Sequence, residues 1–186
     1  MIQTYYAYLL LAGGYVLGLA LPQVGANIWL VPAVPYVLVG LSMLHLRRFS
    51  RWYCGVEAAS AVCAALALAQ GLTDTPAVAT LLVLVACAAD VLLCLAMAAQ
   101  RRRYGLGAAA EYALLVLAVV FGLGAAALLL MGTQLLAGFA RAGGTMVAFD
   151  PLTVINTVGL VFRIGMIADV FRLQREALRH EAEAQK

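Results

Sequence analysis

Charge is what this chain lacks. Of its 186 residues, 12 are Lys or Arg and 9 are Asp or Glu, so 11% are charged, against roughly 25% in a soluble domain. So sparse a polar surface excludes an ordinary water-soluble enzyme, a nucleic-acid-binding face and a disordered chain. Histidine is scarce too. Only His45 lies near an apolar segment and His180 falls in the tail, so no bis-histidine haem stack can form. The four cysteines show no CxxC spacing and no disulfide framework, and free thiols are expected. No Gly-rich phosphate loop, HExxH or Gly-x-Ser-x-Gly run occurs, and Gly105-Leu106-Gly107 is too short to count as one. Nothing here implies a cofactor.

What is present is apolar. Hydrophobic residues make up 65% of the chain, and the mean hydropathy is +0.97. The length suits about six spans of roughly 20 residues with short connections. Six segments are predicted: Tyr5–Leu21, Ile28–Leu46, Cys54–Leu72, Ala77–Ala99, Ala108–Met131 and Leu152–Phe171. They must be helices, because lipid offers no partner for free backbone groups and the Ala/Leu/Val bias lacks the alternation of barrel strands. The expected fold is all-α: a polytopic bundle of six transmembrane helices over residues 1–172, with 173–186 a short cytoplasmic helical tail.

Turn chemistry marks the breaks. Pro22–Asn27 carries Pro and Gly, Thr73–Pro76 reads as a cap-like turn, and Asp150-Pro151 as an N-cap with Pro at the first helical position. Residues 132–150 are the longest expected connection, with Leu135, Leu136 and Phe139 able to lie on the membrane surface. Arg47, Arg48, Arg51, Arg101, Arg102, Arg103, Arg172, Arg175, Arg179 and Lys186 all fall on one side of such a bundle, which places both termini in the cytoplasm. The first segment lacks the basic region of a secretory signal and reads as a retained helix.

The two arginine loops align when shifted by 54 residues, giving Arg-Arg-x8-Glu at Arg47–Glu57 and again at Arg101–Glu111. The third hairpin does not repeat it, and any Arg-rich loop entering an Ala-rich helix looks similar. Gly14-x3-Gly18 and Ala118-x3-Gly122-x3-Ala126 fit close helix packing. Pro32 and Pro35 should loosen the outer turns of the second span.

Charges inside hydrocarbon are expensive and need a reason. Counting from the nearest terminal arginine at about 1.5 Å per residue, Asp90 lies about 16 Å deep and Arg163 about 13–14 Å. An Asp90–Arg163 ion pair between the fourth and sixth helices is the simplest way to carry both. Glu57, Glu111, Asp169 and His45 sit nearer the cytoplasmic edge. Either they decorate that edge among loop arginines, or Glu57, Asp90, Glu111 and Asp169 line a cavity around Arg163. Asn156, two turns before Arg163, is a further candidate for that interior. Cys87, Asp90, Cys94 and Met97 share one face of the fourth helix. Their sulfurs suit a soft metal, but two cysteines about 10 Å apart cannot easily share an ion, so no metal site is expected. In the tail, Arg172 and Glu176 are spaced as an i,i+4 pair.

The function expected is movement of a small solute or ion by an inner-membrane protein, alone, as an oligomer or as the membrane component of a larger complex. A non-transporting assembly subunit is the rival. An enzyme acting on a lipid comes third, since no nucleophile–base set is visible. Membrane lipids are the expected surroundings, a second copy or a complex subunit the expected partner, and nucleic acid is not expected.

Overall fold

A computed structural model describes residues 2–20, 31–73, 75–142 and 151–183, without the side chains of 31, 131–142, 151 and 152. Among the described residues are six α-helices: α1 Ile2–Ala20, α2 Val34–Leu46 (entered through a single 3-10 turn, Val31–Ala33), α3 Trp52–Thr73, α4 Pro76–Arg103, α5 Ala109–Ala142 and α6 Pro151–Glu183. No strand occurs among the described residues. The helices begin where proline is tolerated, since Pro76 and Pro151 each open one and need no intrahelical N–H there. Asp150 and the Pro22–Asn27 turn lie outside the described residues.

Four helices are long and apolar enough to cross a membrane: Trp52–Thr73, Pro76–Arg103, Ala109–Leu130 within α5, and Thr153–Glu183 within α6. Helix α1 has 19 residues, but Gln3, Thr4 and four tyrosines dilute its hydropathy. Helix α2 is only 13 residues long, about 20 Å, because Pro32 and Pro35 hold the preceding turn out of α-helical bonding. Of the second expected segment, the part before Val31 lies outside the described residues. The fifth is longer: α5 runs on through 132–142 instead of breaking at Met131, a stretch with no proline and only isolated glycines, Gly132 and Gly138. Where Leu135, Leu136 and Phe139 point lies outside the described side chains.

Each helix packs on its neighbours in chain order, and α6 closes the ring against α1. The core inside that ring joins Tyr8 and Leu11 of α1, Met43 and Leu46 of α2, Tyr53 of α3, Leu93 and Met97 of α4, and Phe162, Met166 and Leu173 of α6. The outward faces stay apolar, as lipid contact requires: Val116, Val120 and Leu123 of α5 and Leu160, Val161 and Ile164 of α6 are all exposed.

Small residues set the closest approaches. A methyl group on Gly14 would meet Val39 at 2.8 Å and the Pro35 carbonyl at 2.9 Å, so α1 and α2 touch there backbone to backbone. Gly122 leaves room for Cys87 of α4, and Gly159 for the Phe121 ring of α5. Among the described residues, nothing lies within 4 Å of a methyl group built on Gly18, so of Gly14-x3-Gly18 the close backbone approach described is at Gly14.

The arginine loops, the start of α1 and the end of α6 gather at one end of the ring, called here the basic end. Thr4 and Arg48 both meet Glu181: Thr4 donates to Glu181 Oε1 at 2.6 Å and Arg48 at 2.7 Å.

Candidate functional site

Two groups of polar side chains lie inside the ring, one near mid-height and one at the basic end. At mid-height, Tyr15 of α1 donates to Asp90 Oδ1 of α4 at 2.5 Å. The Tyr15 ring meets Phe162 edge-on, centroids 6.4 Å apart, which fixes the phenol between α1, α4 and α6. Tyr36 of α2, Cys63 of α3, Cys87 and Cys94 of α4 and Arg163 of α6 all lie within electrostatic range of Asp90. Asp90 thus faces the middle of the bundle, and it is half-buried rather than sealed.

The expected direct ion pair is not made. Arg163 Nη1 instead donates to the Gly18 carbonyl at 2.8 Å, and its guanidinium lies 5.6 Å from the centroid of the Phe121 ring. Gly18 sits in the last turn of α1, where carbonyls have no intrahelical partner and the helix dipole favours a cation. Arg163 therefore caps α1 while remaining within electrostatic range of Asp90. Counting residues along two helices says nothing about which way a side chain turns around its helix.

The basic end is built by a tight reversal between α4 and α5. Gly105 has φ +72°. The Gly105 N–H donates to the Arg102 carbonyl and the Leu106 N–H to the Arg101 carbonyl, the paired bonds of a glycine-terminated helix. This turn brings Arg101, in the last turn of α4, beside Glu111, in the first turn of α5. Both charges suit their helix ends. Arg101 Nε faces Glu111 Oε1, its Nη2 donates to Asp169 Oδ1 of α6 at 2.8 Å, and Glu176 Oε2 lies 3.5 Å from Nε. The Glu111 side chain is completely buried and that of Asp169 is 3% exposed.

Glu111 and Asp169 therefore gather around Arg101, not around Arg163 as the cavity reading supposed. Glu176 likewise turns to Arg101 rather than to Arg172. Glu57 makes no ion pair or hydrogen bond among the described residues, so the two Arg-Arg-x8-Glu stretches are alike in sequence and different in contacts. His45 is exposed. Asn156 is exposed as well. It shares the angular face of Arg163, but seven residues set it about 10 Å further along α6.

The sulfurs are used for packing. Cys87 Sγ lies 3.5 Å from the Ala118 carbonyl, Cys94 Sγ lies 3.8 Å from Met166 Sδ, and Met97 is fully buried. Among the described residues no cluster of metal-ligating side chains forms.

Beside Arg101 is a network that sequence reasoning missed. Gln100 Oε1 accepts from Tyr53 at 2.7 Å and from Tyr8 at 3.0 Å. Its Nε2 donates to Tyr8 at 2.7 Å and to Tyr104 at 2.9 Å. One amide thus joins α1, α3 and the end of α4. Tyr104 also stacks on His180 of α6 at 4.2 Å, and burial pushes its phenol above the ordinary tyrosine value. The available signal was Gln100 itself, an amide at the end of an otherwise apolar run. Comparisons with known protein families, curated proteins and solved structures found no match to this chain, so its functional reading depends on this geometry alone.

Proposed function

We propose that the chain is a multi-pass protein of the inner membrane that moves a small solute or ion through the middle of its helical ring, past Asp90. In this reading all six helices lie in the membrane, the basic end and both termini face the cytoplasm, and the protein works alone, as an oligomer or as the membrane component of a larger complex. One observation carries it. Asp90 sits half-buried at the centre of the bundle with a tyrosine hydroxyl as its bonded partner, while the arginine at its level is engaged by a helix end. Intramembrane carboxylates are costly, and one left without a bonded counter-ion is a functional group by default. A carboxylate beside a phenol can bind a cation, a proton or the donor groups of a polar solute.

The test is reconstitution into liposomes with an internal pH or ion indicator, using protons, Na+ and K+ as probes together with small polar solutes. Asp90→Asn should abolish the flux while the protein still inserts and assembles. Wild-type-like flux in that variant overturns the proposal.

The assembly-subunit reading is favoured by a different observation, the use of Arg163 as a cap for α1. Under it, Asp90→Asn and Arg163→Gln both reduce the amount of assembled protein, and no probe moves. Exchanging the two charges is not expected to rescue either variant, because the two side chains are not bonded to one another.

A further inference from the structure

The basic end holds more negative charge than its arginine can neutralise. Within ion-pair distance of Arg101 are three carboxyl groups, those of Glu111, Asp169 and Glu176. Only Glu176 has appreciable exposure, at 24% of its side chain. Arg101 balances one full negative charge. Fully ionised, the group would carry two uncompensated charges among buried neighbours, an arrangement that like-charge repulsion and desolvation both oppose.

The unpartnered atoms show how this is relieved. Glu111 Oε2 and Asp169 Oδ2 are both buried, and among the described residues neither has a hydrogen-bond donor. Yet the two carboxyl groups lie within hydrogen-bonding range of each other. Two carboxylates in contact repel. A carboxylic acid and a carboxylate in contact form a short, charge-assisted hydrogen bond. The other groups facing the pair do not change that balance. Tyr53 of α3 and Cys94 of α4 face it with a neutral phenol and a neutral thiol, and Arg172 of α6 is exposed and acts on Asp169 from a distance.

We infer that Glu111 and Asp169 share one exchangeable proton, so that the junction of α4, α5 and α6 at the basic end is a proton-binding site. With the proton in place, the acid–carboxylate hydrogen bond ties α5 to α6, Arg101 neutralises the one charge left on the pair, and the remaining charge sits on the more exposed Glu176. When base removes it, the proton goes to water, the O–H bond breaks, and two adjacent carboxylates are left pushing α5 and α6 apart. Glu176 continues the acidic array from the buried pair to the surface. This inference stands whether or not a solute passes Asp90.

Infrared difference spectroscopy of the full chain in lipid nanodiscs, stepped from neutral to alkaline buffer, reads the proton directly. Wild type should show the C=O stretch of a protonated carboxylic acid at neutral pH and lose it on the step, releasing one more proton per chain than Glu111→Gln does. Glu111→Gln and Asp169→Asn should each remove that band, because either amide supplies the missing donor and leaves the surviving carboxyl ionised against Arg101. Asp90→Asn should leave the band in place. A neutral spectrum with no protonated carboxyl, or a band that survives both amide variants, overturns the inference, as does a band lost only in Asp90→Asn. A second reading needs no spectroscopic assignment. The folded protein holds the proton and the unfolded chain does not, so wild-type stability should be highest with the proton bound and fall as pH rises through its release. In Glu111→Gln that fall should be absent, and the same slope in both proteins overturns the inference.

Discussion

Gln100→Leu isolates the interaction on which the basic end most depends. Leucine is close to glutamine in size, so the change removes hydrogen bonds with little change in volume. Tyr8 and Tyr53 are both fully buried, and both use Gln100. Without it, the Tyr53 hydroxyl can still reach Tyr8, its neighbour across the network. The Tyr8 hydrogen is then left without an acceptor and out of reach of water. Tyr104 is half-buried and can turn to solvent. A buried orphaned donor costs about 1–3 kcal/mol, and the lost net bonding of the rest about 1 kcal/mol more. The expected loss is about 2–4 kcal/mol. At roughly 2–4 °C per kcal/mol for a chain of this size, the unfolding midpoint in detergent should drop by about 5–15 °C.

The control is the triple variant Tyr8→Phe/Tyr53→Phe/Gln100→Leu. Removing both sides of a buried polar contact is far cheaper than removing one, so the triple variant should be more stable than Gln100→Leu alone. Tryptophan fluorescence during thermal or denaturant unfolding reports the outcome, since Trp52 adjoins Tyr53. If Gln100→Leu unfolds with wild type, the tyrosine–glutamine network is not holding the helices. If the triple variant is no better than the single, the cost was packing and not unsatisfied polarity.

Two further changes follow from the geometry. Gly122→Ala adds a methyl group where Cys87 already stands and should destabilise the α4–α5 contact by about 1–3 kcal/mol, whereas Gly13→Ala, in open space, should be neutral or slightly stabilising by the same unfolding assay. Arg101→Met strips the basic end of its buried cation and should cost about 3–5 kcal/mol, while Arg48→Ala, whose side chain is 48% exposed, should stay within about 1 kcal/mol of wild type.

How much of this was legible in the sequence depended on whether a property is linear or angular. Hydropathy is linear, and four of the six expected segments correspond to helices long and apolar enough to cross a membrane. Depth is linear too, which is why Asp90 and Arg163 were placed at one level. Direction around a helix is angular, and that is where the partners were misassigned. Arg101, Arg102 and Arg103 follow one another at the end of α4, about 100° apart. Only the first turns inward. Arg102 lies over the Tyr112 ring and Arg103 reaches the Phe49 carbonyl. Counted together as loop charges, the three look equivalent, and the residue that organises the basic end is lost among them. Tyr8, Tyr15 and Tyr53 were overlooked for a related reason: a tyrosine contributes to an apolar run and only shows its polar tip when a partner is opposite.

The distribution of buried polarity also says which part of the ring can yield. Gln100, Arg101, Glu111, Asp169 and Gln174 are all buried at the basic end, and their bonds tie α1, α3, α4, α5 and α6 together. In low dielectric such networks hold their helices firmly, and breaking one member strands the others. Towards the other end, the close approaches between helices are set by small residues such as Gly14, Gly122 and Gly159, and the Arg163–Gly18 bond is the polar contact described there. Asp90 sits between these two regimes. Anything bound there that is to leave by the basic end must first loosen the Arg101 carboxyl cluster or the Gln100 tyrosines, and of the two only the cluster contains a contact that, with the inferred shared proton, the loss of that proton would weaken. Passage in that direction is therefore expected to speed up under conditions that deprotonate Glu111 and Asp169, and passage to the opposite end is not. One-sided flux from oriented liposomes, measured as internal pH is raised, distinguishes the two: equal acceleration in both directions would mean that the basic end is no barrier.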